Sequence, residues 1–437
     1  MKLPDLQHKK IAIIGLGLEN YALIKWLLAK KIDCQLVIFE KKDQAKIVYY
    51  SELSKFKNID WQLGKYYPRD LTVFDLIVRS PGSIVHKDKQ VKLGQALMTT
   101  AINLFFIFCP TKKIIGVTGT KGKGTTASLI AHILKTDKKK AWLGGNIGVA
   151  PFSFINKIKS SDWVILELSS FQLEDAITSP HIAVITNFAS EHLVPADPNN
   201  PNHHKTLAEY WRAKFNIANW QTKQDYLIIN SNLRKKIANK KLSSRIKYFI
   251  QSNLSSQLPG EHNKENIAAA VEVAKLVKIK QADIKKAVAS FKGLIYRLQL
   301  IRSLRGVEYY NDSFATTPEA TITALKSFTK PIILIAGGAD KGSNFKQLAK
   351  IIKNKVKFVA LLKGQATAKL KKDLLAVGCS KEQLIVFDNL KSAVKASQQQ
   401  AKIGEVVLLS TACASFGMFE NYKERGRLFT EAVEKLK

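Results

Sequence analysis

The chain has 437 residues, of which 69 are Lys or Arg and 35 are Asp or Glu, so its formal net charge is +34. The length suggests about three domains, and the apolar fraction of 46% allows buried cores, which excludes a chain that is disordered as a whole. No uncharged apolar stretch is long enough to cross a bilayer, the N-terminus lacks the apolar core of a signal peptide and the cysteines form no CxxC pair, so we expect a cytoplasmic protein without membrane association, disulfides or a cysteine zinc site.

The chain opens with a strand–helix–strand pattern, KKIAIIGLGLEN, YALIKWLLAKK and CQLVIFE. Gly15 and Gly17 allow a tight turn at the start of the helix, where free N–H groups favour a phosphate. The dinucleotide fingerprint is incomplete, because Asn20 stands where it has a third glycine. Glu40 ends the second strand, where a carboxylate could accept a ribose hydroxyl. A tight turn that binds no nucleotide is the alternative.

The segment FDLIVRSPGSIV predicts a strand that ends at the turn Ser80, Pro81 and Gly82. Loops at the carboxyl ends of strands bind ligands in open α/β sheets. An ordinary Pro-Gly turn explains the same residues equally well.

A second α/β unit begins near residue 111, where the strand IIGVT leads into a glycine-rich loop and a helix. Backbone N–H groups in such a loop surround phosphate oxygens, a lysine neutralises the outer phosphates, and a hydroxyl at the helix start can hold Mg²⁺. The literal P-loop string fails at Val117 and Gly124, which makes Thr125 the hydroxyl candidate. We predict an ATP or GTP site rather than a merely flexible loop. Its residues are Gly119, Thr120, Lys121, Gly122, Lys123, Gly124, Thr125 and Thr126.

Two further strands, in SDWVILELSSFQLED and HIAVITNFASEHL, each end in polar residues. Glu167 and His192 should therefore lie near strand carboxyl ends beside the loop, where they suit Mg²⁺ positioning or acid–base chemistry. A structural hydrogen bond is the alternative role for the histidine. The stretch VPADPNNPNHH predicts an exposed loop in which His203 and His204 are solvated, with weak metal binding as the alternative.

The segment LPGEHNKENIAAAVEVAKLV predicts a turn and an alanine-rich helix that begins with His262, Asn263 and Asn266. Asn amides both donate and accept, which suits adenine or phosphate, although helix capping is the alternative. From about residue 295, strands and helices alternate once more, which predicts another parallel sheet. The predicted fold class is α/β in three domains, at residues 1–100, 101–294 and 295–437.

The positive charge is spread over all three of these segments, and its densest run, at residues 135–140, is short. Nucleic-acid-binding proteins usually concentrate their charge in one tail, stripe or helix face. The even distribution therefore favours a solvated lysine surface that attracts polyanions only weakly. The alternative is that the charge serves to bind anionic ligands or partners. We expect no specific nucleic-acid partner. A basic P-loop protein that binds nucleic acid is the alternative.

Taken in order, these motifs resemble the Mur ligase superfamily, most closely its D-glutamate-adding branch. The resemblance covers essentially the whole chain: GLGLEN, SPG, TGTKGKGTT, GGNIG, ELSSFQLE, ITN…EH, YWRAK, GEHNKEN, YRL, YYNDSFATTPEA, GGADKG and LLSTACASFGMFENYKERG. It implies an N-terminal Rossmann-like domain for uridine diphosphate, a central ATPase domain, and a C-terminal Rossmann-like domain for the amino acid.

The same resemblance implies a cytoplasmic, monomeric enzyme of peptidoglycan precursor synthesis. Its expected partners are ATP, UDP-N-acetylmuramoyl-L-alanine and D-glutamate. ATP would phosphorylate the muramoyl-alanine carboxylate, and the amine of D-glutamate would attack the acyl phosphate and release phosphate.

The resemblance also implies roles for single residues. Lys123 would hold the ATP phosphates, Thr125 and Glu167 would bind one Mg²⁺, and His192 a second. Lys214, in YWRAK, matches a lysine that family members carry as a carbamate, which is an anion able to orient Mg²⁺. An unmodified surface lysine is the alternative.

The remaining implied contacts fall into four groups. The nucleotide would contact Asn263, Asn266, Arg297 and Asp312. The muramoyl substrate or its metals would contact Asn146, Ser169 and Gln172. The uridine end would meet Leu16, Gly17, Glu40, Ser80, Pro81 and Gly82. The carboxylates of D-glutamate would meet Lys341, Ser415 and Tyr422.

Several positions depart from the family pattern. The phosphate loop, with Gly-Lys-Gly before its hydroxyl residue, is more similar to that of folylpolyglutamate synthase, which joins glutamate to folates. Phe314 stands where the family has a lysine, and Glu191 replaces the usual Asp before His192. A folate-type or other amide ligase is therefore the enzymatic alternative, although GLGLEN and SPG favour a uridine nucleotide.

Overall fold

Three mainly parallel sheets form the framework of the protein. The computed structural model describes residues 1–64, 70–189, 202–340 and 342–437. Two compact units divide the chain. The first consists of residues Met1–Ser252 and Glu265–Ala287, and the second of Asn253–Lys264 and Val288–Lys437. No helix in the described ranges combines the length and apolar character that crossing a membrane requires.

The first sheet, in the first unit, is wholly parallel with the strand order β3-β2-β1-β4-β5. Alternate residues of β1 enter separate apolar cores, because Ile11 and Ile13 pack on one face and Ala12 and Ile14 on the other. The elements are β1 (Lys10–Ile14), α1 (Leu18–Ala29), β2 (Gln35–Glu40), α2 (Tyr50–Leu53), β3 (Ile59–Leu63), β4 (Leu76–Arg79), β5 (Leu97–Thr100) and α3 (Ala101–Phe108).

The second sheet, also in the first unit, has the order β11-β10-β9-β6-β8-β7 and is parallel throughout. Its strands are β6 (Ile114–Thr118), β7 (Ala141–Gly145), β8 (Trp163–Glu167), β9 (Ile182–Ile185), β10 (Tyr226–Asn230) and β11 (Arg245–Phe249). Its region of the chain includes helices α4 (Lys123–Thr136), α5 (Ser170–Leu173), α6 (Leu207–Asn219), α7 (Arg234–Ile237), α8 (His262–Leu276) and α9 (Gln281–Ser290). Because β6 lies between β8 and β9, the polar residues that follow these three strands meet at one edge.

The third sheet, in the second unit, has the order β12-β13-β17-β14-β15-β16. Its strands are β12 (Gln299–Leu304), β13 (Val307–Asn311), β14 (Ile332–Ala336), β15 (Val356–Leu362), β16 (Leu384–Phe387) and β17 (Val406–Leu409). Its helices are α10 (Pro318–Lys326), α11 (Lys346–Lys355), α12 (Gln365–Ala376), α13 (Leu390–Gln400) and α14 (Tyr422–Glu434).

The third sheet differs from the wholly parallel sheet that the sequence predicts. Strand β12 pairs antiparallel with β13, whereas the other pairs in this sheet are parallel. The two-residue connection between them, Arg305 and Gly306, has positive φ at both positions. Such a turn can only reverse the chain, because a parallel connection needs a crossover of a dozen or more residues.

Candidate active site

A glycine-rich loop between β6 and α4 forms the centre of the candidate site. Gly119 and Gly122 have positive φ values of +148° and +79°. A Cβ atom would overlap Thr186 Oγ1 at the first position and Asn266 Oδ1 at the second. Both positions therefore require glycine, and the loop packs closely against its neighbours.

The residues after β9 hold this loop in place. The backbone N–H of Lys121 donates to Asn187 Oδ1 at 2.8 Å, and the hydroxyl of Thr186 donates to the Lys121 carbonyl at 2.7 Å. Thr120 N–H donates to the Asn187 carbonyl at 3.1 Å. A loop fixed in this way presents the N-terminal N–H groups of α4 without further ordering, as phosphate binding requires.

Lys123 begins α4, and its ammonium donates to the Thr120 carbonyl at 2.9 Å. Its charge thus lies beside the loop. Thr126 is buried, and its hydroxyl donates at 3.4 Å to Oδ1 of Asn266, a residue of α8. Thr125 is only partly buried, so of the two hydroxyls it is the better placed for a ligand.

Glu167 ends β8 beside the loop, and the residue is buried, with 6% exposure. Asn146 Nδ2 donates to Glu167 Oε1 at 3.0 Å, and Asn146 N–H donates to the Glu167 carbonyl at 2.9 Å. The structure thus brings together two residues that sequence analysis assigns to metal and substrate. Carboxylate and hydroxyl oxygens are the hard ligands that Mg²⁺ prefers, so Glu167 and Thr125 fit that ion.

Lys214, on α6, is almost fully buried, with 1% exposure. Its Nζ donates to the Gly119 carbonyl at 2.7 Å and lies 4.5 Å from the centre of the Tyr210 ring. The surface-lysine alternative is therefore wrong, because the side chain is directed at the back of the phosphate loop. A carbamate would also fit this contact, since it retains one N–H on the same nitrogen.

At the candidate uridine site, the turns that follow the neighbouring strands β1 and β4 lie side by side. Leu16 N–H donates to Glu40 Oε2 at 2.8 Å, so this carboxylate contacts the glycine-rich turn. A Cβ atom on Gly15 would meet Ser80 Oγ, which places the Ser80 turn against it. Asn20, at the position of the missing third glycine, donates from Nδ2 to the Gly15 carbonyl at 2.8 Å and stabilises the turn.

Ser169 and Gln172 form a capping box on the short helix α5. Ser169 Oγ accepts from Gln172 N–H at 3.2 Å, and Gln172 Oε1 accepts from Ser169 N–H at 2.7 Å. Gln172 Nε2 also donates to Glu19 Oε1, on α1. Burial raises the pKa of Glu19 to about 7, although the Gln172 hydrogen bond opposes the shift. Sequence analysis missed this contact between the first and second sheets.

A second contact that sequence analysis missed involves Arg79, which is fully buried at the end of β4. Its guanidinium forms a bidentate ion pair with Asp175: Nε donates to Oδ2 at 2.8 Å, and NH2 donates to Oδ1 at 2.7 Å. NH1 donates to the Ser80 carbonyl at 3.2 Å, so the pair also orients the Ser80 turn. In the sequence, the one sign of this ion pair is a single arginine at the end of the apolar run in FDLIVRS.

The expectation that both histidines of the Pro/Asn-rich stretch are solvated is wrong for His204. His204 is fully buried, its ring stacks on Phe171 at 4.9 Å, and its Nε2 lies 2.9 Å from Ser170 Oγ. His203 is half-buried, and its carbonyl accepts from Lys87 Nζ at 2.9 Å. These contacts attach the segment to α5 and to Lys87 in the connection between β4 and β5, which a loop-type composition does not reveal.

In the second unit, Asp312 follows β13 and is buried. Its Oδ2 accepts from Ser410 Oγ at 2.8 Å, and its Oδ1 accepts from Leu298 N–H at 3.2 Å. Burial raises the pKa of Asp312 to about 7, partly offset by these hydrogen bonds and by the charges of Arg297 and Arg425. An ionised carboxyl group accepts hydrogen bonds only, whereas a protonated one also donates, so a raised pKa extends the ligand groups that Asp312 can bind.

Asn263, Ser415 and Tyr422 also lie in the second unit. Asn263 Nδ2 donates to the Pro259 carbonyl at 2.7 Å, so this amide stabilises the turn before α8. Ser415 is buried, and Tyr422 begins α14 with its ring edge-on to Phe314 at 5.2 Å. His192 and Lys341 lie outside the described residues.

Family models match two of the three predicted domains. The Mur ligase middle domain matches residues 117–253, and the Mur ligase glutamate ligase domain matches residues 296–413. A UDP-N-acetylmuramoylalanine–D-glutamate ligase from Clostridium kluyveri is 35% identical to this chain, over 98% of the chain and 97% of the relative. The chain belongs to the Mur ligase family. Family membership predicted from the motifs is thus confirmed.

Other relatives of this Mur ligase have the same name and a similar identity. The protein from Acetivibrio thermocellus is 34% identical over 99% of this chain and 97% of its own length. The protein from Clostridium acetobutylicum is 35% identical over 99% of this chain and 98% of its own length.

Two solved structures share the fold of this Mur ligase. UDP-N-acetylmuramate-alanine ligase from Thermotoga maritima has a TM-score of 0.55 at 17% identity, covering 98% of this chain and 100% of that one. The MurF ligase from the same organism, in complex with ADP, has a TM-score of 0.56 at 17% identity, covering 99% and 97%. The predicted α/β fold class is confirmed.

Proposed function

We propose that this Mur ligase joins D-glutamate to UDP-N-acetylmuramoyl-L-alanine, with conversion of ATP to ADP and phosphate, in peptidoglycan precursor synthesis. The observation that carries the proposal is the similarity of 34–35%, over nearly the whole chain, to ligases named for this reaction. The geometry of the phosphate loop supports the use of ATP.

The chemistry requires an activated carboxylate, because a free carboxylate is a poor acyl donor. Transfer of a phosphoryl group from ATP makes its oxygen a good leaving group, and the amine of D-glutamate then displaces phosphate through a tetrahedral intermediate. Two anions must approach each other in the first step, so cations that screen their repulsion are needed. Lys123 and the loop of residues 119–126 are proposed to bind the phosphates. Because the N–H groups of Thr120 and Lys121 donate to Asn187, the proposed backbone donors are the N–H groups at the start of α4.

Metal binding is proposed for Thr125, Glu167, His192 and Lys214, with two Mg²⁺ ions that screen the charge of the triphosphate. The oxygen donors of Thr125 and Glu167 support this assignment. Lys214 would contribute only as a carbamate, because an ammonium repels a metal ion. Its burial and its contact with Gly119 support a role at the loop.

The remaining site residues are proposed by matched position. Nucleotide contacts are proposed for Asn263, Asn266, Arg297 and Asp312. The uridine end would contact Leu16, Gly17, Glu40, Ser80, Pro81 and Gly82, and the muramoyl group Asn146, Ser169 and Gln172. The D-glutamate dianion would contact Lys341, Ser415 and Tyr422, which are a cation and two hydroxyls suited to carboxylates.

The three segments 1–100, 101–294 and 295–437 are proposed as the uridine, ATP and amino-acid domains. Each contains one of the three sheets, which supports the division. We further propose a monomer that works in the cytoplasm, where ATP and nucleotide precursors are made.

Product analysis tests the choice of substrates. The enzyme is incubated with ATP and either UDP-N-acetylmuramoyl-L-alanine or a folate, together with each amino acid in turn, and products are identified by mass spectrometry. The proposal expects one new amide, formed from the uridine nucleotide and D-glutamate. A product formed only from the folate would establish the alternative ligase, and ATP hydrolysis stimulated by polynucleotide, without any amide, would establish the nucleic-acid alternative.

A further inference from the structure

Phe314 is an exposed aromatic residue in an otherwise buried polar segment. Its exposure is 41%, whereas the three residues before it, Asn311, Asp312 and Ser313, are buried. A single exposed apolar side chain is ordinary in a folded protein. The contacts of the Phe314 ring indicate a specific role for its exposure.

The guanidinium of Arg297 lies on the face of the Phe314 ring. Its central carbon is 3.7 Å from the ring centre, well within the range of about 6 Å for cation–π contacts. Tyr422 supports the ring from the side, at 5.2 Å and an interplanar angle of 89°. Phe314 N–H also donates to the Tyr296 carbonyl at 3.0 Å, which ties the backbones of the two segments together.

The backbone on either side of Arg297 is strained. Tyr296 has φ of +63° and Leu298 has φ of +44°, which are outliers for bulky side chains. Two hydrogen bonds hold this conformation, from Tyr296 N–H to Gln299 Oε1 and from Leu298 N–H to Asp312 Oδ1, both 3.2 Å long. Strain maintained by its surroundings often marks a functional position.

The guanidinium itself donates no hydrogen bond and forms no ion pair with any residue in the described parts of the chain. Stacking on Phe314 uses only its face. The N–H groups of an arginine point outward in the plane of the group, so stacking leaves this edge available. That edge matches the oxygens of a phosphate, to which arginine can donate two parallel hydrogen bonds.

We infer that Phe314 is a positioning residue, whose ring holds the Arg297 guanidinium as a preorganised receptor for a nucleotide phosphate. This inference rests on the proposed nucleotide role of Arg297 and adds the residue that orients it. Loss of the aromatic face would leave a flexible arginine that must be ordered when the phosphate binds.

Matched variants at position 314 test the inference. Phe314→Leu keeps an apolar side chain but removes the π face, and Phe314→Tyr keeps the face. We expect Phe314→Leu to raise the KM for ATP about 2- to 5-fold with little change in kcat, and Phe314→Tyr to resemble the parent. An unchanged KM in Phe314→Leu, or a change confined to the KM for D-glutamate, would overturn the inference.

A double-mutant cycle separates positioning from a merely structural role. In an Arg297→Ala background, Phe314→Leu should have no further effect on the affinity for ATP, because no guanidinium remains to be oriented. Additive effects would overturn the inference. Direct ADP titration of the same four proteins requires no ligase turnover, so it distinguishes a failure of this inference from a failure of the proposed reaction.

Discussion

Lys214 Nζ donates a 2.7 Å hydrogen bond to the carbonyl of Gly119, which joins a buried lysine on α6 to the first residue of the phosphate loop. We expect Lys214→Ala to reduce kcat/KM about 100-fold, as loss of a group that orients metal ligands typically does. Small carboxylates or carbonate-like anions should restore part of the activity, because they can replace the carbamate.

Lys214→Arg is the matched variant for this prediction. It keeps a positive charge and N–H donors near Gly119, but it cannot carry the carbamate. Steady-state rates of phosphate release, measured with and without added bicarbonate, compare the three proteins. Full activity in either variant would contradict the carbamate assignment.

Gly122→Ala tests the close packing of the phosphate loop. The new Cβ would overlap Asn266 Oδ1, so the loop must shift, and a shift of this kind is expected to lower kcat/KM for ATP roughly 10- to 100-fold. Gly404→Ala is the control, because Gly404 has a positive φ of +86° but a Cβ there meets no atom within 4 Å. Both variants should lose about 1–2 kcal/mol of stability from the left-handed backbone. Equal ATP kinetics in both would show that the contact with Asn266 is unimportant.

The ion pair between buried Arg79 and partly exposed Asp175 should contribute to stability. Arg79→Met removes both hydrogen bonds to the Asp175 carboxylate, and the expected loss in the free energy of unfolding is about 1.5–3 kcal/mol, because water still reaches part of that carboxylate. Urea denaturation measures this loss. Arg427→Ala removes one partner of an exposed pair with Glu431 and should change stability little. A similarly small effect in Arg79→Met would mean that its pair with Asp175 does not stabilise the fold.

These residues show what the sequence could and could not predict. The phosphate loop and its glycines were predictable, because one continuous segment contains the residue types that phosphate binding needs. The Arg79–Asp175 pair and the burial of His204 were not, because each depends on which distant segments pack together. The pairing of Arg297 with Phe314 was also hidden, since residues 17 positions apart meet only through the antiparallel β12–β13 hairpin and its strained entry.

Glu19 should make stability depend on pH. Burial raises its pKa from 4.5 to about 7, so the folded protein binds this proton more tightly than the unfolded chain does. The stabilisation from the proton is complete below about pH 4.5 and is lost as the pH rises towards 7. The Glu19→Gln variant carries no titrating group at this position, so it does not lose this stabilisation as the pH rises. The free energy of unfolding of the variant minus that of the parent should therefore rise by up to about 3 kcal/mol from pH 5 to pH 8. Denaturation curves at both pH values measure it, and a difference that does not vary with pH would refute this explanation.

Phosphate release from ATP tests the central claim most directly. The enzyme is supplied with Mg²⁺ and ATP, with UDP-N-acetylmuramoyl-L-alanine and D-glutamate added separately and together, and L-glutamate serves as the matched control amino acid. The proposed function predicts sustained release, one phosphate for each amide formed, only when the uridine nucleotide and D-glutamate are both present. Release that is indifferent to D-glutamate, or equally fast with L-glutamate, would contradict it.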